Sequence, residues 1–260
     1  MIELEVVGTG RVVVVGHRGA MGCAPENTLV SFEEAAALGA DAVDCDVQLT
    51  RDGQVVVIHD PLVDRVSDGK GAVQEMTLAE LRQLNMNVQF PDAYPPQVIP
   101  TLAETLETVK RLGIELVIEI KGYPEPSREL VEKTVELVRE YEQQEHAAII
   151  SFHHPCLLWA REVDASIATG ILFGHDTPDP LSEARTYSAS SIRPHYARVN
   201  AELVAGAHQA GLCVHAWTVN DEEMARSLMA LGVDSLAGNW PDRLRRVVDA
   251  AGRSARPARA

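Results

Sequence analysis

Short apolar runs alternate with amphipathic segments along almost the whole chain, and eight of these runs have the length and composition of buried β-strands. Their centres lie at residues 12, 43, 117, 149, 171, 192, 214 and 236. Strands that alternate with helices favour a parallel sheet covered on both faces, and eight such units close into a barrel of roughly 250 residues. The 260 residues therefore predict a single α/β domain over residues 1–260, a (β/α)8 TIM barrel.

Three segments are added to this alternation. The run DAVDCDVQLTRDGQVVVIHD predicts a β-hairpin that turns at Asp52 and Gly53, because glycine readily supplies the positive φ of a tight turn. Cross-strand partners then have numbers that sum to roughly 104, which places His59 opposite residues 45 and 46. Residues 61–100, rich in Asp, Gly and Pro, predict a small insertion with one short helix. We expect the tail, residues 252–260, to be frayed.

Composition and charge argue against several classes of protein. The formal net charge of -15 disfavours non-specific binding to nucleic acid or to an anionic membrane, so an anionic ligand needs a local positive site. No apolar run approaches the roughly 18 residues of a membrane span, and we find no signal peptide in the first fifteen residues. The four cysteines show no C-x-x-C spacing, which favours reduced thiols. We expect a cytoplasmic protein without stable membrane association.

Polar side chains follow the apolar runs at one end of the predicted strands, where α/β barrels hold their catalytic groups. Asp44 and Asp46 lie two apart on one strand, so both side chains leave the same face. Two such acids repel each other unless a cation or a shared proton lies between them, and oxygen ligands favour Mg²⁺ or Ca²⁺ over zinc. The other polar groups at these strand ends are His17, Arg18, Glu119, Lys121, Ser151 and Trp217.

Each candidate also has a purely structural interpretation. An isolated D-x-D pair is more often a solvated strand face, and a lone histidine is more often a hydrogen-bonded structural residue. Glu119 could be an ion-pair partner of Lys121, since an unpaired buried carboxylate is costly. Trp217 could pack inside the barrel, and Glu26, Asn27 or Thr28 could cap the first helix.

In combination, the motifs closely resemble those of the glycerophosphodiester phosphodiesterases. The similar runs are GHRGAMGCAPENTLVSFEEAAALGAD, DCDVQLTRDGQVVVIHDPLVDR, IPTLAETL, ELVIEIK and HAWTVND, which together extend over nearly the whole chain. The resemblance implies a TIM barrel with an insertion after the hairpin. It also implies hydrolysis of a small glycerophosphodiester to sn-glycerol 3-phosphate and an alcohol, as part of lipid and glycerol metabolism. One divalent cation, Mg²⁺ or Ca²⁺, is the implied cofactor.

The resemblance assigns reaction and substrate roles to four residues. His17 and His59 are similar to the family's acid-base pair. Arg18 and Lys121 are similar to its phosphate-contacting cations. Apart from the resemblance, Trp217 at the end of its strand is expected to form a wall of the pocket for the alcohol.

The resemblance also implies a metal site. Asp46 and Glu119 are similar to the family's metal ligands, and Asp44 is expected to be the third. Asp44 stands where the family usually has Glu, so its side chain is one methylene shorter. Glu26 and Asn27 are expected to orient His17 or to support the metal from its outer shell. The segment AGNWPD, residues 237–242, departs from the family form, so the edge of the pocket beside the eighth strand is not predicted.

Three other functions remain open at this stage. A related barrel phosphodiesterase would act on lysophospholipids as a lysophospholipase D, or on phosphatidylinositol or sphingomyelin. A barrel that only binds glycerophosphodiesters would require a lost catalytic or metal-binding residue, for which Asp44 is the single indication. The third is an unrelated metal hydrolase on the same fold. The sequence also leaves open the preferred alcohol, a homo-oligomer, and whether water or the glycerol 2-hydroxyl attacks phosphorus.

Overall fold

The computed structural model describes residues 5, 7, 10–122 and 125–254. Its strands are β1 (Val13–Gly16), β2 (Ala42–Leu49), β3 (Val55–Val57), β4 (Glu115–Ile120), β5 (Ala147–Ser151), β6 (Ala168–Phe173), β7 (Ser191–Pro194), β8 (Cys213–Ala216) and β9 (Ser235–Gly238). All except β3 are parallel, and β1 pairs with both β2 and β9. Eight strands therefore close a (β/α)8 barrel, as predicted, although β1 begins one residue after the predicted strand centre at residue 12.

Helices cover the outside of the barrel, except for the four-residue helix at residues 78–81, which packs into the 61–100 insertion. They are α1 (Leu29–Ala37), α2 (Leu78–Leu81), α3 (Leu102–Leu112), α4 (Arg128–Glu140), α5 (Pro155–Val163), α6 (Pro180–Thr186), α7 (Ala201–Gln209), α8 (Glu222–Leu231) and α9 (Pro241–Ser254). Within the described ranges, none of them combines the length and the apolar character needed to cross a bilayer. Helix α9 extends three residues into the predicted tail, and residues 255–260 lie outside the described residues.

Local sequence signals account for the ends of several helices. Thr101 and Glu104 form a capping box, in which each side chain accepts a hydrogen bond from the other residue's backbone N–H. The same helix, α3, ends at Gly113, whose left-handed conformation (φ of 68°) is accessible to glycine at little cost. Thr28 caps α1, so capping falls to Thr28 and not to Glu26 or Asn27.

The hairpin has the predicted register. Val47 pairs with Val57 and Leu49 with Val55, so the paired numbers sum to the predicted value. Gly53 has a φ of 75°, the left-handed conformation that the turn requires. The backbone N–H of Ile58 still donates to the carbonyl of Asp46, which brings the next residue, His59, to the barrel mouth.

Side chains alternate between the two faces of the barrel wall. Cys45 points outward into the main core between strands and helices, as its place between the two acids predicted. All four cysteines are free, as predicted. Ser151 was expected among the polar groups of the mouth, but it is buried and its hydroxyl donates to the carbonyl of Ile120.

The 61–100 insertion has a small apolar core of its own. This core also includes Val56 and Ile58, whereas Val55 and Val57 pack into the main core. The returning arm of the hairpin is therefore held on one side by the barrel and on the other by the insertion. The position of His59, directly after this arm, is set by both cores.

Candidate active site

The mouth of the barrel opens into a cavity of about 130 Å³. Its wall includes eight of the ten predicted site residues: His17, Arg18, Asp44, Asp46, His59, Glu119, Lys121 and Trp217. The other two, Glu26 and Asn27, are buried and hydrogen-bond to residues of this wall. Strand geometry explains the set, because every second residue of a barrel strand faces the interior and the strand ends meet at one mouth.

Asp46 is buried and surrounded by donors. Asn27 donates its side-chain amide to Asp46 Oδ2 at 2.8 Å, and the Nε of Arg18 lies 3.3 Å from the same oxygen. Lys121 Nζ is 3.4 Å from the other oxygen, Oδ1. Burial alone would raise the pKa of Asp46, but Lys121 and Arg18 outweigh it and hold the pKa well below its ordinary value. Asp46 is therefore ionised at neutral pH.

The negative charges of Glu119 and Asp44 are less well balanced by neighbouring cations than the charge of Asp46. Burial, together with repulsion from Asp46, raises the pKa of Glu119 to about 8 although Lys121 Nζ is 2.5 Å away. Burial is also the largest cause of the raised pKa of Asp44. The neighbouring His17 lowers this pKa, whereas Asp46 raises it further. Arg18 and Lys121 thus leave part of the negative charge of Asp44, Asp46 and Glu119 unbalanced. An oxygen donor set with excess negative charge fits a hard divalent cation such as Mg²⁺ or Ca²⁺.

Both histidines of the mouth have an oxygen partner at Nδ1. His17 Nδ1 lies 2.8 Å from Asn239 Oδ1, and His59 Nδ1 lies 2.6 Å from Asp60 Oδ1. Because both partners are acceptors, each ring carries a proton on Nδ1 and directs Nε2 to other contacts. Burial lowers the pKa of His59 below its ordinary value, although Asp46 acts in the opposite direction.

A chain of charge-assisted hydrogen bonds lies behind the mouth. Asp60 Oδ2 accepts from the Nε of Arg65 at 2.6 Å, and the two Nη atoms of Arg65 donate to both oxygens of Glu26 at 2.7 and 2.8 Å. Glu26 Oε1 also accepts from Arg18 Nη1 at 2.8 Å. Burial would raise the pKa of Asp60, but hydrogen bonds from Arg65 and His59 lower it to about 2. The carboxylates and guanidinium groups of this hydrogen-bond series are therefore all ionised at neutral pH.

Sequence reasoning missed four residues that support this arrangement. Asp60, Arg65 and Asn239 are described above. Gln48 Nε2 lies 2.6 to 3.1 Å from three consecutive backbone carbonyl oxygens, of residues 58, 59 and 60. Asp60 could have been suspected because it follows His59 directly, and Gln48 because it shares the inward face of Asp46.

Two aromatic side chains form part of the cavity wall. Trp217 is anchored by its Nε1, which donates to the carbonyl oxygen of Arg193 at 2.7 Å. The ring of Phe152 packs edge-on against Trp217 with centroids 5.6 Å apart, and Lys121 Nζ is 6.0 Å from the Phe152 centroid. An apolar wall beside a cationic centre suits the carbon skeleton of a phosphate ester.

A second polar cluster lies at the closed end of the barrel. Glu5, Cys213 and His215 bring potential metal ligands close together there, and all three are buried. Glu5, however, forms an ion pair with the buried guanidinium of Arg193 and accepts a hydrogen bond from Ser190 at 2.9 Å. Because Arg193 already supplies the positive charge, we interpret this cluster as a buried ion pair that closes the barrel.

The chain is similar to known proteins both in sequence and in fold. Residues 17–243 match the sequence profile of the glycerophosphoryl diester phosphodiesterase family. A glycerophosphodiester phosphodiesterase of Caldanaerobacter subterraneus subsp. tengcongensis is 34% identical over 238 residues, which cover 90% of this chain and 96% of the relative. A solved structure from Silicibacter pomeroyi is 29% identical, with a TM-score of 0.88 and coverage of 96% of this chain and 97% of that chain. A phosphodiesterase from Oleispira antarctica, solved in complex with the product sn-glycerol-3-phosphate, is 30% identical, with a TM-score of 0.83 and coverage of 91% and 96%.

Proposed function

The chain belongs to the glycerophosphoryl diester phosphodiesterase family and is a glycerophosphodiester phosphodiesterase; we propose that it releases sn-glycerol 3-phosphate and an alcohol by acid-base catalysis at a divalent cation. The observation that carries this proposal is the composition of the cavity wall. Three histidines, three cationic side chains and three carboxylates line one small space, and His17, His59, Arg18 and Lys121 are among them. The product bound in the Oleispira antarctica relative supports sn-glycerol 3-phosphate as the product here.

Asp44, Asp46 and Glu119 would hold the cation. A bound Mg²⁺ or Ca²⁺ ion supplies positive charge to the phosphate oxygens and lowers the cost of the charge that develops there. Arg18 and Lys121 would bind further phosphate oxygens, since both reach the cavity while ion-paired to Asp46. These two side chains would hold the phosphate group in a fixed orientation.

The two histidines would divide the proton transfers. His59 is paired with the carboxylate of Asp60, which stabilises an imidazolium, so we assign it as the general base that takes the proton of the attacking hydroxyl at Nε2. His17 is paired with the neutral amide of Asn239, and we assign it as the general acid. As general acid, His17 must first be doubly protonated; its Nε2 proton then passes to the alcohol oxygen as the bond from that oxygen to phosphorus breaks, and the Nδ1 proton stays on the ring.

Substrate selection would depend on the aromatic wall. Trp217 and Phe152 offer apolar surface at the mouth, against which the glycerol or the alcohol would pack. Glu26 and Asn27 would act from behind, on Arg18 and Asp46 respectively. We also propose a cytoplasmic location without stable membrane association, supported by the charge of -15 and the free cysteines.

The test is release of sn-glycerol 3-phosphate from glycerophosphocholine and glycerophosphoethanolamine. The protein is treated with EDTA and then supplied with Mg²⁺ or Ca²⁺. His17→Ala and His59→Ala should abolish release, whereas His146→Ala, an exposed histidine at the closed end, should not change it. Lysophosphatidylcholine is assayed in parallel through release of choline, because its cleavage at the same bond leaves lysophosphatidate. Cleavage of the lysophospholipid alone, or of no glycerophosphodiester with any ion, would contradict the proposal.

A further inference from the structure

We propose that Arg65, a residue of the 61–100 insertion, is a positioning residue of the active site that holds Asp60 against His59. The proposal rests on the proposed function, because it assumes that His59 takes part in the reaction. The insertion would thereby have a defined role, since it supplies one side chain that fixes the orientation of a reacting imidazole from behind.

The guanidinium of Arg65 is used on two edges. Its Nε donates to Asp60 at 2.6 Å, and its two Nη atoms bind the carboxylate of Glu26 in a bidentate arrangement. A planar fork can satisfy two carboxylates at once, whereas the single ammonium group of lysine cannot reproduce this geometry. The site therefore uses the shape of arginine in addition to its charge.

The surroundings distinguish this contact from an ordinary surface ion pair. Exposed pairs contribute little because both side chains are mobile and screened by solvent. Here Glu26 is 3% exposed and also binds Arg18, so one partner of Arg65 is fixed. The backbone is fixed as well, because Arg65 ends a short 3-10 helix whose first residue, Val63, is fully buried in the insertion core.

Loss of Arg65 would affect the two ends of this series of hydrogen bonds unequally. Arg18 would keep both Glu26 and Asp46 as partners, so the proposed phosphate contact would stay in place. Asp60 would keep, among the described residues, His59 as its remaining side-chain partner. Loss of Arg65 thus loosens the pair formed by Asp60 and His59. We expect the substitution to lower kcat more than it raises KM.

The experiment compares Arg65→Met and Arg65→Lys with a matched control. Arg82 is also an arginine of the insertion, is similarly exposed and pairs with Glu104 at 2.6 Å, away from the cavity. Arg65→Met should lower kcat for glycerophosphocholine about 10- to 100-fold, the effect of a slightly misplaced group, with KM changed less than about 3-fold. Arg65→Lys should be intermediate, and Arg82→Met should keep the wild-type kcat.

A double-mutant cycle separates this role from a general effect on folding. Asp60→Asn and Arg65→Met should each lower kcat. The kcat of the double variant should lie within about 3-fold of the kcat of the slower single variant. All assays are run well below the melting temperature of each variant. Additive losses, a loss confined to KM, or equal behaviour of Arg65→Met and Arg82→Met would overturn the proposal. An inactive wild type, or an active His59→Ala variant, would instead contradict the proposed function.

Discussion

Asp44 accepts a hydrogen bond from the backbone N–H of Arg18 across 2.5 Å, which joins the second barrel strand to the loop that follows the first. Arg18 adopts a left-handed conformation with a φ of 50°, which few non-glycine residues adopt. In this conformation the backbone of Arg18 lies close enough to Asp44 for its short side chain to reach it. This contact gives a physical reason why aspartate is accommodated where the family usually has glutamate.

Replacement of Asp44 tests its place in the metal site. Asp44→Ala should raise the concentration of Mg²⁺ or Ca²⁺ needed for half-maximal activity about 10- to 100-fold, because a carboxylate ligand is lost. The measurement is a titration of EDTA-treated enzyme with each ion, with exposed Asp92→Ala as the control. An unchanged requirement for the ion would remove Asp44 from the ligand set.

Glu119 gives a prediction about stability. Since the pKa of Glu119 is raised to about 8, its charged form is disfavoured without a cation. We expect the melting temperature of the EDTA-treated wild type to rise on addition of Mg²⁺ or Ca²⁺, with about 2.7 kcal/mol of stabilisation at 100 times the dissociation constant. Glu119→Gln should reduce this rise. Equal increments for both proteins in differential scanning calorimetry would argue against a ligand role.

The division of labour between His17 and His59 is tested with an activated leaving group. An ester of glycerophosphate with p-nitrophenol needs little protonation of its departing oxygen. His17→Ala should therefore lower kcat/KM for this ester by a factor about 100 times smaller than for glycerophosphocholine. A factor of about 100 is the usual contribution of general acid catalysis. His59→Ala should be impaired on both substrates to a similar degree. The opposite pattern in kcat/KM would exchange the two roles.

The ion pair at the closed end predicts stability in acid. Burial would raise the pKa of Glu5, but Arg193 and the neighbouring hydrogen bonds outweigh it and lower the pKa from 4.5 to about 2. A lowered pKa means that the stabilisation is complete above pH 4.5 and is lost as the pH falls towards 2. The loss should be on the order of 3 kcal/mol.

Glu5→Gln is the matching variant. At pH 7 it should be less stable than the wild type by about 3 to 5 kcal/mol, because Arg193 becomes an unpaired buried charge. The difference should narrow as the pH falls from 4.5 towards 2. Urea unfolding at several pH values measures both effects. A stability difference that stays constant at all pH values would refute the assignment.

Predictions about the fold succeeded where the governing signal is local. The turn at Gly53 and the alternation of valines set the hairpin register, because a strand has a period of two and the turn defines which residues face each other. The spacing of Asp44 and Asp46 likewise placed both carboxylates on the cavity wall. Element ends were less certain, as in α9, where helix continues to Ser254.

The sequence by itself determined the strand and helix pattern, the barrel and the groups that reach its mouth, because backbone geometry converts residue spacing directly into a shared face. Tertiary structure alone decided which partners these groups meet. Asn239 reaches His17 across 222 positions, Glu5 reaches Arg193 across 188, and Arg65 reaches Glu26 across 39. Such contacts depend on how the barrel closes and where the insertion packs, and both are set by the summed packing of many residues that no short pattern encodes.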